Sequence, residues 1–298
     1  MTKTACVTGG NGYIASALIK MLLEKGYAVK TTVRNPDDME KNSHFKGLQE
    51  LGPLSVFRAD LDEEGSFDDA IAGCDYAFLV AAPVNLMAED PEVHNKPVTT
   101  NLRCHIPSHI RDGTDRSSHR PGGTACPRCS WRRRRPGSRA EHGISLVTVC
   151  PVITAGAAPA TRVRTSVIDS LSLLSGDEKG LAVLKGIERT SGAVQLVHVD
   201  DLCRAELFVA EEAAAAGRYL CSGLNTTVVE LARFLSRKYP QYNVKTDFTD
   251  DDQLLEKPRV VLSSAKLARE GFEFRYTTLD EIYDDVVEYG KALGILPY

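Results

Sequence analysis

A glycine-spaced turn between an apolar run and an amphipathic segment most constrains this chain. Residues 4–15 read TACVTGGNGYIA, and the apolar residues that follow share one helical face until Gly26 supplies a stop. Gly9 permits the tight turn, and Gly12 lets the backbone approach a pyrophosphate whose charge lies at the helix N-terminus, where Asn11 can cap. The pattern predicts the start of a dinucleotide-binding βαβ unit.

The second predicted strand runs from Tyr27 to Val33 and ends at Arg34. In a βαβ nucleotide site the end of the second strand faces the adenosine ribose, and an arginine there suits a 2′-phosphate. The sequence therefore favours a 2′-phosphorylated dinucleotide.

Strand and helix patterns alternate in the first third of the chain. Strands are predicted at 4–8, 28–33, 54–58 and 75–81, helices near 12–25, 44–51 and 65–73, and a further strand at 146–150. This order predicts an α/β fold, a Rossmann-type doubly wound parallel sheet with right-handed crossovers. Thr227 to Glu230 and Thr278 to Glu281 fit capping boxes before apolar-periodic segments, which predicts a smaller, mostly helical C-terminal lobe.

Composition restricts the compartment and the partners. A net charge of −4 gives no overall attraction to nucleic acid, and no apolar run reaches the roughly 18 residues of a membrane span. The first strand begins too early for a signal peptide, and eight cysteines in such a chain are typical of reduced thiols. We therefore expect a cytoplasmic protein with a small-molecule partner; the oligomeric state stays open.

Several stretches resemble the plant flavonoid branch of the extended short-chain dehydrogenase/reductase family, which is NAD-dependent epimerase/dehydratase-like. They include TGGNGYIAS, TTVRNP, ADLDEEGSFDDAI, ISLVTVCPV and VHVDDLCRAE, and the resemblance covers residues 1 to about 92 and about 140 to the end. Ala15, at the third glycine position, is more similar to anthocyanidin reductases than to dihydroflavonol reductases. The resemblance implies NADPH-dependent reduction of an anthocyanidin to a flavan-3-ol; reduction of a dihydroflavonol or a cinnamoyl-CoA is the alternative.

The resemblance also implies a set of cofactor contacts. The pyrophosphate would lie against Gly9, Gly12, Tyr13 and Ile14, the 2′-phosphate against Arg34 and Lys41, and the adenine beside Asp60 and Leu61. The end of the fourth strand would contribute Val80, Ala81 and Ala82, and the nicotinamide would lie near Pro151, Val152, Ile153 and Ser166. Asp60 and Lys41 are alternatively ordinary surface charges. His198 and Asp200 are interpreted as structural residues.

The resemblance is interrupted between about residues 93 and 139. Residues 101–140 contain ten arginines but no lysine, glutamate, valine, phenylalanine or tyrosine, which is typical of a GC-rich coding strand read out of frame. We interpret 93–139 as a frameshifted or mis-assembled, disordered segment. The central strand and the catalytic helix would then be missing, and the fourth strand would lack a neighbour or pair directly with 146–150.

This interpretation divides the chain into four parts. Residues 1–92 are the first part of an NADP-binding domain, 93–139 the aberrant segment, 140–160 a return to that domain, and 161–298 mainly a substrate lobe. Within the aberrant segment, CPRC at 126–129 and WRRRR at 131–135 are too weak to predict a zinc site or a nucleic-acid surface, so no metal site is assigned.

The catalytic pair of this branch is absent. These reductases use a Tyr-x-x-x-Lys pair on one helix face, in which the tyrosine donates a proton and the lysine lowers its pKa. No tyrosine lies between Tyr76 and Tyr219, no lysine lies between Lys96 and Lys179, and Tyr-x-x-x-Lys occurs nowhere. We therefore assign no catalytic residue. A non-catalytic NADPH-binding or misfolded product is the competing hypothesis.

Overall fold

The computed structural model describes residues 2–80, 145–162, 166–248 and 254–298, together with the backbone of 101–105. Ala81, Ala82, the CPRC and WRRRR motifs and most of the segment 93–139 lie outside the described residues. The chain divides into two compact units. The first comprises Met1–Val149 and Glu206–Arg218, and the second comprises Cys150–Ala205 and Tyr219–Tyr298.

Ten strands and nine helices are placed in the described part of the chain. The strands are β1 (Thr4–Thr8), β2 (Ala28–Val33), β3 (Leu54–Arg58), β4 (Tyr76–Phe78), β5 (Asn101–His105), β6 (Ser145–Pro151), β7 (Ile153–Ala155), β8 (Val194–His198), β9 (Gly217–Cys221) and β10 (Leu224–Thr226). The helices are α1 (Tyr13–Glu24), α2 (Phe45–Gln49), α3 (Asp68–Ile71), α4 (Ser166–Ser175), α5 (Glu178–Ser191), α6 (Val199–Glu211), α7 (Val228–Lys238), α8 (Ala265–Arg269) and α9 (Leu279–Ala292). A 3₁₀ turn covers Pro240–Tyr242.

A seven-stranded sheet has the order β3-β2-β1-β4-β5-β6-β9. The pairs β1–β2, β1–β4 and β2–β3 are parallel, which confirms the Rossmann-type α/β fold. Helix α1 buries Leu18, Met21 and Leu22 of the expected apolar face, and Ile19 in addition, whereas Ile14 of that face is half-buried. On the first unit's sheet, Cys6 and Cys74 form a buried cluster with Ala70 and Ala77.

Strand β5 corrects one expectation. Asn101–His105 lies between β4 and β6 and pairs antiparallel with both, with Tyr76 opposite His105 and Asn101 opposite Val149. The expectation that the segment contributes no strand, leaving the fourth strand bare or paired directly with 146–150, is therefore wrong. A sheet ladder is made by backbone N–H and C=O groups, so a segment without a continuous apolar run can occupy the position. The sheet is mixed rather than wholly parallel.

The second unit contains a three-stranded sheet, β10-β8-β7, and most of the C-terminal helices. Tyr283 of α9 is fully buried and donates a hydrogen bond to the Ser170 carbonyl of α4 over 3.0 Å. Leu171, Leu196 and Leu231 are also fully buried. The apolar residues of these helices therefore form a hydrophobic core within the second unit.

One of the two expected capping boxes is complete. Thr278 Oγ1 accepts a hydrogen bond from Glu281 N–H, and the Glu281 carboxylate accepts one from Thr278 N–H. At the start of α7, Thr227 accepts from Glu230 N–H, but the Glu230 carboxylate accepts from the Thr226 hydroxyl instead.

The complete box at Thr278 is expected to stabilise the second unit measurably. Thr278→Ala should lower the free energy of unfolding by about 1 kcal/mol, because the first turn of α9 loses an acceptor for its N–H groups. Urea denaturation measures the change. As the control, Thr190→Ala removes an exposed hydroxyl inside α5 and should cost less than about 0.5 kcal/mol. Equal costs at the two sites would contradict the capping role.

Asp169 makes the stability of the chain depend on pH. Burial raises the pKa of this carboxyl on α4 to about 6, and the negative charge of Asp177 adds to the shift. The folded state therefore holds the proton more tightly than the unfolded chain. The resulting stabilisation is present below about pH 4 and is lost as the pH rises through about 6.

Asp169→Asn is expected to raise the free energy of unfolding at pH 7 by on the order of 1 kcal/mol. The gain is smaller than the pKa shift alone implies, because asparagine remains a buried polar group. Urea denaturation at pH 4.5 and pH 7 should show the gain only at the higher pH. Asp62→Asn, at an exposed position, serves as the control. A gain from Asp169→Asn of equal size at both pH values would contradict the raised pKa of Asp169.

Candidate dinucleotide site

The glycine turn after β1 is held tightly against β2. Gly9 has a φ of 73°, and its N–H donates to Thr32 Oγ1 over 3.2 Å. Gly10 N–H donates to the Thr32 carbonyl over 2.9 Å, and a Cβ at Gly10 would overlap Thr31 Oγ1. Gly12 N–H closes the turn on the Gly9 carbonyl over 2.8 Å. Glycine at position 10 therefore lets the turn pack directly against β2 and α1.

The N-terminus of α1 is suited to an anion. Gly12 is the N-cap with an extended backbone, and no side chain caps the helix or places an acidic group in its first turn. The expectation that Asn11 caps is wrong, because its amide nitrogen instead lies 3.5 Å from Asn42 Oδ1. Tyr13 and Ile14 begin the helix and are half-buried. A helix start without an acidic cap favours a negatively charged ligand.

The sheet register brings several other expected residues to the same edge. Thr8 lies opposite Thr32, Val33 opposite Arg58, and Val7 opposite Phe78. Since these strands are parallel, the residues that follow them meet at one edge of the sheet. These residues are Gly9 after β1, Arg34 after β2, Asp60 and Leu61 after β3, and Val80 after β4.

The two expected 2′-phosphate ligands differ in availability. Arg34 is exposed, and within the described ranges its guanidinium makes no hydrogen bond or ion pair. Lys41 is exposed too, but its Nζ lies 2.5 Å from Asp38 Oδ2. A phosphate would have to compete with Asp38 for Lys41. Arg34 is therefore the better placed cation.

Asp60 has a local structural partner. Its carboxylate accepts a hydrogen bond from Asp62 N–H over 3.2 Å. The Ser66 hydroxyl accepts a hydrogen bond from the Asp60 N–H and donates one to the Asp60 carbonyl. These contacts fix the turn after β3. A contact from Asp60 or Leu61 to an adenine stays a prediction.

The expected nicotinamide residues belong to the second unit. Pro151 ends β6, Val152 is half-buried, and Ile153 begins β7, which runs parallel to β8. Ser166 is the first residue of α4 and is half-buried. Their contacts with a cofactor stay predictions.

His198 and Asp200 fit the structural role expected of them. The ring of His198 is buried and stacks on Tyr276 with centroids 3.5 Å apart. Nδ1 accepts from Asp200 N–H over 3.1 Å, so Nε2 carries the proton and donates to Asp285 over 2.8 Å. A Cβ at Gly156 would overlap this ring. The imidazole is therefore enclosed by its own unit.

Two residues near the glycine turn were not found by sequence reasoning. Asn42 and His44 are buried, with 7% and 9% of their surface exposed, although they lie in a stretch without apolar periodicity. His44 Nε2 donates to the Gly10 carbonyl over 3.1 Å. Burial lowers the pKa of His44, and the hydrogen bond to Gly10 opposes this shift. No sequence motif could have indicated these contacts, since each depends on the folded path of the loop.

The described ranges contain neither a cluster of metal-ligating side chains nor a helix suited to a membrane. No group of three or more His, Cys, Asp or Glu side chains in the described ranges could hold a metal ion. No helix there is both long enough and apolar enough to cross a membrane.

Comparison with known proteins places the chain among plant reductases. The NmrA-like family model matches residues 1–94. The chain is 41% identical to an anthocyanidin reductase ((2S)-flavan-3-ol-forming) of Vitis vinifera, over 99% of this chain and 97% of the relative. It is 33% identical to a dihydroflavonol 4-reductase of Arabidopsis thaliana, over 99% of this chain and 84% of the relative. Vestitone reductase from alfalfa has a similar structure, with a TM-score of 0.68, 25% identity, and coverage of 98% of this chain and 99% of that one.

The alignment with the Vitis vinifera relative also contains gaps. It spans 336 positions, whereas this chain has 298 residues. The chain therefore has no counterpart at several tens of the relative's positions.

Proposed function

The chain belongs to the anthocyanidin reductase family of NADPH-dependent flavonoid reductases, and on that premise we propose that it binds NADPH as a member whose own reductase step is impaired. Its ancestral reaction is the reduction of an anthocyanidin to a flavan-3-ol. The partner is a small flavonoid, and cysteine usage favours the cytoplasm. The observation that carries the proposal is Arg34, an exposed cation at the same sheet edge as the glycine turn.

The residues at this edge fit the two charged groups of NADPH. The positive end of the α1 dipole would attract the pyrophosphate, and Gly12 leaves no side chain at this helix start. Arg34 would pair with the 2′-phosphate in a charge-assisted hydrogen bond, and Lys41 would join after leaving Asp38. When bound, NADPH supplies the hydride.

The proton that must accompany the hydride has no assigned donor. In an intact relative the tyrosine of Tyr-x-x-x-Lys would give it, and this chain has no such pair. This absence favours a second candidate function, an NADPH-binding protein without reductase turnover. The 33% identity to a dihydroflavonol 4-reductase keeps a dihydroflavonol as the alternative substrate.

A binding and turnover experiment on the full chain separates these functions. Quenching of protein fluorescence gives the dissociation constants of NADPH and NADH. Product chromatography after incubation with NADPH and an anthocyanidin, a dihydroflavonol or a cinnamoyl-CoA gives the turnover. We expect preferential NADPH binding with little product. Binding of neither cofactor would overturn the proposal, and rapid product formation from one substrate would identify an active reductase.

A further inference from the structure

Asn42 connects the glycine turn, which would hold the pyrophosphate of the cofactor, with the start of the loop that carries Arg34. We infer that Asn42 is a positioning residue that sets selectivity for the 2′-phosphate without touching it. The inference rests on the proposed binding of NADPH. It concerns the segment 34–44, called here the selectivity loop, which follows β2 and carries Arg34 and Lys41.

The amide group of Asn42 holds the start of the selectivity loop. Its Nδ2 donates to the Asn35 carbonyl over 2.9 Å and to the Pro36 carbonyl over 3.0 Å. These two residues directly follow Arg34. Because Asn42 is buried, water cannot easily replace these bonds, and the loop start is confined to one path.

The far end of the selectivity loop is attached to the glycine turn. His44 Nε2 donates to the Gly10 carbonyl over 3.1 Å, and Asn11 Nδ2 lies 3.5 Å from Asn42 Oδ1. The first contact is the stronger, since its distance is close to the optimum for such bonds. The loop is thus fixed to the turn at one end and folded back on itself through Asn42.

This arrangement couples the two anion sites. The pyrophosphate position is set by the turn, and the reach of Arg34 toward a 2′-phosphate depends on where the loop begins. Without the Asn42 amide, the Asn35 and Pro36 carbonyls lose their buried donor and the loop start is free to move. The contribution of Arg34 should then fall, because a charge-assisted hydrogen bond requires a fixed geometry.

The test compares cofactor selectivity rather than stability. Asn42→Ala in the full chain should weaken NADPH binding about tenfold, as expected when buried hydrogen bonds of this kind are lost, and NADH binding no more than about twofold. The milder Asn42→Ser keeps one donor, so its NADPH dissociation constant should lie between those of the unmodified chain and Asn42→Ala. If the alanine variant does not fold, the serine variant is measured in its place. Ser43→Ala, on an exposed neighbour in the same loop, should leave both dissociation constants unchanged.

Combination with Arg34→Ala isolates the positioning role. In that background Asn42→Ala should no longer change the NADPH-to-NADH ratio, because the side chain that it positions is gone. A merely structural asparagine would lower the melting temperature and weaken both cofactors equally, which would overturn the inference. If the unmodified chain prefers NADPH and Asn42→Ala leaves the ratio of the two dissociation constants unchanged, only the inference about Asn42 is overturned. Equal binding of both cofactors by the unmodified chain would overturn the proposed function as well.

Discussion

Turnover of an anthocyanidin with NADPH by this chain should be about 10²–10⁴-fold slower than by a relative with an intact Tyr-x-x-x-Lys pair. That range is the usual contribution of one positioned general acid, and here the lysine that assists it is absent too. Single-turnover absorbance at the nicotinamide band, with NADPH in excess over its dissociation constant, measures the hydride step apart from cofactor binding.

An anthocyanidin reductase chosen because it has the Tyr-x-x-x-Lys pair, assayed in parallel, supplies the reference rate. If that enzyme loses its tyrosine by substitution with phenylalanine, its rate should approach that of this chain. Turnover of this chain within about threefold of the intact relative would contradict the prediction, because it would require a proton donor elsewhere in the chain.

Arg34→Ala should weaken NADPH binding by roughly ten- to a hundredfold and leave NADH binding nearly unchanged. A charge-assisted hydrogen bond contributes about 1.5–3 kcal/mol, and Arg34 has no other partner within the described ranges to compensate for its loss. Fluorescence titration with the two cofactors measures both constants. Since Lys41 is held by Asp38, Lys41→Ala should have the smaller effect.

An arginine away from the site provides the control for this prediction. Arg237 is exposed on α7, so Arg237→Ala removes the same charge from the second unit. It should change neither dissociation constant by more than about twofold. If Arg34→Ala weakens the binding of NADPH and NADH equally, Arg34 does not bind the 2′-phosphate.

The parts of the fold that the sequence predicts are those specified by local signals. The bounds of β1, β2 and β3 agree with the structure, because each strand is an apolar run ended by a turn. The stop at Gly26 is also confirmed, since φ there is 81°, in the left-handed region that glycine adopts readily. The position of Arg34 at the site edge follows from these same strands.

The features that sequence reasoning missed depend on contacts between distant residues. Asn42 and His44 lie in an irregular loop, and their burial results from the path of that loop over the glycine turn. The Asn11 cap was wrong because Asn42 offers an alternative partner 31 residues away. Strand β5 was missed because its segment has no strand pattern. It is held in the sheet by backbone pairing with β4 and β6, which does not require such a pattern.

The direction of β5 determines which side of the sheet its C-terminal end reaches. In β1 to β4 every carboxyl end arrives at the edge that carries the glycine turn. In β5 the carboxyl end, His105, lies beside Tyr76 at the beginning of β4, roughly 15 Å from that edge for a strand of this length. A Tyr-x-x-x-Lys sequence grafted directly after His105 would therefore begin at the edge of the sheet opposite to the glycine turn. Repair of this enzyme requires reversing a strand as well as restoring two side chains.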